Sequence, residues 1–213
     1  MNIETSKYLG GIGALLIVIG GLGFFGTGYA GILGLIGLIL VLIAMNGLAN
    51  IYNESGIFNN ALYGVIAAIV GVVAFVAAIV ATVLTVITIS GFNWADPSTW
   101  SQQITDINTF MEIFGSALGT ALAGLVISVV VLFAFFIIAF ILVRKSLNLL
   151  ASKSGVGMFG TAGLLMLIGA VLTIIIFGVI LIWIGFILLI VAFFSLKTQP
   201  TTPVPAPPQS SPA

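Results

Sequence analysis

The chain has 213 residues, 61% of them hydrophobic and 5% charged, with five basic and five acidic side chains that cancel. A soluble domain is about a quarter charged, so there is too little polar surface here to cover a water-exposed globule. Cysteine and histidine are both missing, which excludes disulfides and the usual soft and imidazole metal ligands. With no basic run there is no footprint for nucleic acid either, and no cofactor is expected.

Apolar runs near twenty residues recur along the chain, the length that crosses about 30 Å of hydrocarbon as a helix. Strings such as VISVVVLFAFFIIAFILV lack the alternation of a barrel strand. The fold class predicted is all-α, a polytopic transmembrane helical bundle over residues 1–197, with a Pro-rich, disordered tail over 198–213.

Six spans are expected: Leu9–Phe25, Ala30–Leu48, Ala61–Ile89, Gly115–Val143, Phe159–Phe177 and Val179–Leu196. The first could pass for a signal peptide, but its run is long for one and a near-twin lies mid-chain, which favours a retained helix. Minimal connections make spans one and two, and spans five and six, antiparallel hairpins. Between spans two and three, Asn59 and Asn60 stand before an apolar run as helix caps do, and Gly56 suits a turn. Tyr52, Phe58 and Tyr63 suit an interfacial aromatic belt.

Spans three and four are longer than a bilayer needs, and both carry small residues at helical spacing. Span four has Ser116, Thr120, Gly124 and Ser128 four apart, beside Gly115, Gly119 and Ala123. Span three has Gly64, Ala68 and Gly71, then Thr82, Thr85 and Thr88. Small residues four apart let helix backbones approach closely. The expected use is packing of spans three and four; the functional alternative is a path for a neutral solute faced by Thr82, Thr85, Thr88 and Ser128. The loop between them offers Trp94 and Trp100 to the interface. Asp96-Pro97 suits a helix start, and Ile104, Ile107, Phe110, Met111 and Phe114 share a face, as in an interfacial amphipathic helix or lid.

Lys7, Arg144, Lys145, Lys153 and Lys197 all fall on one side of a six-span chain. Basic excess marks the cytoplasmic side, so both termini are expected in the cytoplasm and the protein in the cell membrane. IGLILVLIA at 36–44 nearly repeats as IGFILLIVA at 184–192, and LLIVIGG at 15–21 as LLMLIGA at 164–170. These offsets pair span one with five and span two with six. The pairing is either a parallel repeat of the hairpins or a coincidence of an alphabet of Ile, Leu, Val, Gly and Ala. Gly20 with Gly169 and Gly37 with Gly185 are the matches least explained by composition.

The segments KYLGGIGALLIVIGG, GLILVLIAMNGLANIYNESGIFNNALYG and GFILLIVAFFSL resemble a mainly archaeal membrane-protein family known as domain of unknown function 996. The resemblance implies a multi-pass archaeal membrane protein and brings no activity, substrate or catalytic residue with it.

No Asp, Glu, Lys, Arg or His falls inside any span, and intramembrane ionisable groups are the usual mark of proton relays and buried catalysis. An enzyme is therefore not expected. The reading is a non-enzymatic scaffold or accessory subunit, with an uncoupled channel or carrier for a small neutral solute as the alternative. Its partners would be membrane lipids, and proteins or a second copy reached through spans three and four.

Overall fold

The computed structural model describes residues 1–23, 30–89, 93, 95–103, 106–175 and 177–197. The Pro-rich tail, Trp94 and Ile104 lie outside them. Among the described residues the chain is all-helical: α1 (Ile3–Gly23), α2 (Ala30–Ile51), α3 (Ser55–Ile89), α4 (Trp100–Gln103), α5 (Ile107–Ser154), α6 (Met158–Leu172) and α7 (Phe177–Phe194), with short 3-10 turns at Pro97–Thr99 and Thr173–Ile175. All but α4 belong to six segments long and apolar enough to cross a membrane.

The six long helices form a closed ring in chain order: α1 packs on α2, α2 on α3, α3 on α5, α5 on α6, α6 on α7, and α7 back on α1. Close approach at glycines fixes the pairs. A β-carbon at Gly37 would meet the Gly13 carbonyl oxygen, and the Ile17 nitrogen at 2.8 Å; one at Gly185 would meet the Ala162 carbonyl oxygen at 3.2 Å and the Met166 nitrogen at 3.3 Å. Gly20 and Gly34 face each other higher in the first hairpin, as Gly169 and Ile182 do in the last. The α1–α7 seam differs: Gly10 accepts the ring of Phe193, Gly11 that of Phe194, and Gly21 that of Trp183.

One core joins all six helices at the end where α1 begins and α7 ends. Leu48, Ile57, Leu150, Phe159, Phe193 and Leu196 are buried there together with Ala14, and Phe159 meets Phe193 edge-on with centroids 5.2 Å apart. The basic residues gather at this end. Lys7 Nζ donates to the Leu196 carbonyl at 3.4 Å, and Lys153 pairs with Glu54 at 3.3 Å.

α3 and α5 outrun the rest. At about 1.5 Å per residue, the 48 residues of α5 make it roughly 70 Å long, against about 33 Å for the 22 residues of α2. From Val72 to Thr88 no residue of α3 is buried, and Val72, Val76, Val80 and Val83 are exposed.

Three boundaries depart from the sequence reading. The amphipathic stretch from Ile107 to Phe114 is not a separate helix: it is the start of α5, capped by Asp106, whose carboxylate accepts from the Thr109 N–H at 2.8 Å. Arg144 and Lys145 end the apolar run without ending the helix, which continues to Gly155 at φ 72°. The caps at Asn59 and Asn60 give way to an earlier start, because Asn53 takes the left-handed conformation at φ 50° and breaks the chain there. Asn60 instead donates to the Gly56 carbonyl within α3 at 2.6 Å.

Candidate functional site: a helix-packing row and an apolar cavity

Gly124 of α5 packs onto α3. A β-carbon there would coincide with the Thr82 side chain. One turn on, Ser128 is fully buried and its hydroxyl donates to the Gly124 carbonyl at 2.7 Å. Ser128, Gly124 and Thr82 are thus brought together in the α3–α5 contact. Thr120 is half-buried, and Ser116 is exposed, donating to the Ile113 carbonyl at 2.9 Å.

The threonines of α3 behave alike. Thr82 donates to Ala78 and Thr85 to Ala81, each at 2.8 Å, and exposed Thr88 donates to Leu84 at 3.0 Å. Each of these threonine hydroxyls closes on a carbonyl of its own helix. A hydroxyl beside the carbonyl four residues back adopts this bond readily, and it satisfies the donor without a partner helix. No described residue comes within 4 Å of a β-carbon at Gly115 or Gly119 in the parallel row, so the glycines of span four divide between a packed face and a bare one.

Between the helices of the ring lies a partly open cavity of about 240 Å³ that sequence reasoning did not anticipate. Every long helix lines it, with Ile17, Met45, Ala68, Phe140, Met166 and Phe186 as one contribution each. Among the described residues its single polar lining side chain is Ser146, which is fully buried and donates to the Ile57 carbonyl. That bond ties α5 to the first turn of α3 and occupies the hydroxyl proton. Apolar cavities without polar partners stay dry and admit apolar guests. Among the described residues no titratable group lines it. Phe136 stands between this cavity and an open groove of about 580 Å³ bounded by Val72, Val130, Phe133 and Ile174.

Two groups near the ends of the long helices have perturbed acidities. Backbone hydrogen bonding from Thr109 holds the Asp106 carboxyl below the usual aspartate value. Burial pushes the Tyr52 hydroxyl up. Among the described residues no group of three acidic, Cys or His side chains could hold a metal ion.

The family described as Protein of unknown function (DUF996) matches residues 33–194. The chain belongs to this family. It is similar to the uncharacterized protein MJ1644 of Methanocaldococcus jannaschii, with 30% identity over 201 residues that cover 92% of this chain and 94% of that one. No solved structure matches it. The matched stretch takes in the cavity lining apart from Ile17, the α3–α5 contact and the last hairpin, and the family description assigns none of them a role.

Proposed function

We propose that the protein is a non-enzymatic scaffold or accessory subunit of the cell membrane. The observation that carries this reading is the α3–α5 hairpin. It leaves the ring with a long apolar surface that the rest of the described chain does not cover, and with Gly115 and Gly119 open on it. Small residues on an exposed membrane helix let another helix approach closely. The test is purification of the full chain from native membranes beside Gly119→Leu. A stoichiometric companion, or a second copy, that Gly119→Leu loses supports the reading. A bare monomer in both preparations overturns it.

The second reading is an uncoupled carrier for a small neutral solute, favoured by the cavity inside the ring. Solute release from liposomes that contain the parent protein, slowed by Ala68→Trp, would support it. Liposomes as tight as protein-free ones would remove it.

Both termini belong on the cytoplasmic side in this proposal, because the ring gathers its basic residues at the end where the chain enters and leaves. The two short hairpins are read as a duplicated unit running in parallel. Their contacts support that: Ala162 and Met166, which receive Gly185, stand 149 residues on from Gly13 and Ile17, which receive Gly37. The Gly20–Gly34 and Gly169–Ile182 contacts follow the same offsets.

A further inference from the structure

Two of the basic side chains at the polar end are already engaged, Lys7 with the Leu196 carbonyl and Lys153 with Glu54. Arg144 and Lys145 are not. Among the described residues neither makes an ion pair or a hydrogen bond. They adjoin in sequence where the apolar run of α5 stops, and Asn148 lies one helical turn away from both. Residues three and four apart on a helix are surface neighbours, so the three side chains share one patch.

That patch is a recess of about 350 Å³ walled by Ile141, Arg144, Lys145, Asn148 and Leu149. Its flanks are held by neighbouring helices. The Arg144 backbone presses on Gly163 of α6, Asn148 lies beside Gly160, and Leu149 packs on Gly56 at the start of α3. Arg144 is half-buried, while Lys145 and Asn148 are exposed. On the other side of the cations, Ile138 and Ile141 are each nearly half exposed and continue the same face of α5 toward its apolar middle.

A fork of guanidinium donors, a point charge and an amide donor is the chemistry that holds a phosphodiester. An apolar ridge running away from it is what hydrocarbon chains cover. We propose that Arg144, Lys145 and Asn148 form a headgroup site for an anionic phospholipid whose chains lie along Ile138 and Ile141. The site requires only that α5 crosses a bilayer, and stands apart from both the scaffold and the carrier readings. A lipid, and not a dissolved phosphate, is the ligand, because Ile141 belongs both to the wall of the recess and to that exposed ridge. Basic recesses at the ends of membrane helices recognise anionic headgroups in this way.

The test uses the full chain, stripped of lipid in detergent and titrated with phosphatidylglycerol, phosphatidylcholine or glycerol 3-phosphate. Retained lipid is read by native mass spectrometry, and stabilisation by thermal unfolding. Phosphatidylglycerol is expected to bind at one per chain in preference to phosphatidylcholine, and glycerol 3-phosphate to have no effect. Each cation near an anionic headgroup contributes roughly fivefold in affinity, so Lys145→Gln should lose about fivefold and Arg144→Gln with Lys145→Gln about thirtyfold. Lys153→Gln should change nothing. Should the double variant fail to fold, Lys145→Gln and Asn148→Asp alter only exposed side chains and carry the test alone. Equal retention of the two lipids, unchanged binding in Lys145→Gln and Asn148→Asp, or full stabilisation by glycerol 3-phosphate would each overturn the proposal.

Discussion

Gly124 of α5 and Thr82 of α3 stand in direct contact, with the threonine hydroxyl and methyl in the space that a β-carbon at position 124 would take. Leu125, the next residue, is 46% exposed. Gly124→Leu should therefore force two backbones apart at a cost of about 1–3 kcal/mol. Leu125→Ala should be close to neutral, because lipid is as apolar as the side chain removed. Thermal unfolding of both variants in one detergent checks this. A stable Gly124→Leu beside an unstable Leu125→Ala would mean that the opposite face of α5 is packed.

The three atoms nearest to a β-carbon at Gly178 are all backbone. A β-carbon there would run into the Gly169 carbonyl oxygen, the Thr173 nitrogen and the Leu172 carbonyl carbon. Backbone has no rotamer to yield, so Gly178→Ala should destabilise the last hairpin by at least the roughly 1–3 kcal/mol of an overpacked core. Gly31→Ala, with no described residue within 4 Å, should instead gain up to about 1 kcal/mol from helix propensity. Denaturation midpoints that move in the same direction for both would refute the pair.

Ser128 and Ser146 are both fully buried, yet their hydroxyls serve different helices. Ser128 closes on its own helix at Gly124, whereas Ser146 reaches the Ile57 carbonyl of α3. Ser146→Ala should cost about 0.5–1.5 kcal/mol and exceed the cost of Ser128→Ala. An equal or reversed order in thermal unfolding would show that the cross-helix bond adds nothing.

Asp106 caps α5 as a carboxylate, and its folded pKa lies below the ordinary value. The stability it adds is present above the unfolded aspartate pKa of about 3.9 and disappears as pH falls through the lower folded value. Protection of the amides from 108 to 110, corrected for intrinsic exchange, should drop in that acidic window. Asp106→Asn keeps a capping oxygen and should remove the pH dependence. A parent protein with constant protection down to pH 2 would contradict this.

Cysteines placed singly at Glu4, Ser101 and Ser152 of this cysteine-free chain report orientation. All three sites are exposed. On intact cells an impermeant thiol reagent should label position 101 and should reach 4 and 152 only after lysis. The reverse pattern would invert the chain in the membrane.

Helix number and type were legible because long uncharged apolar runs leave few alternatives in lipid. Helix ends were less so. Arg144 and Lys145 mark where hydrocarbon stops, and charge does not stop a helix, so α5 runs on to Gly155. The turn before α3 depends on the left-handed Asn53, and no pattern of hydrophobicity reports a positive φ. The lateral partners were hidden most completely. A helix apolar on every side carries no stripe to say which face is packed. Thus the packed Gly124 and the bare Gly119 look alike as letters, and the cavity, to which every long helix contributes, has no local signature at all.

The seam between α1 and α7 sets an order of assembly. Gly10, Gly11 and Gly21 await Phe193, Phe194 and Trp183, which are translated more than 160 residues later. At about 5–20 residues per second, the ribosome leaves the opening helix without its mate for roughly 10–35 s. During that interval its glycine face is greased by lipid alone. Closure of the ring therefore waits for the last hairpin, whose emergence sets its timing.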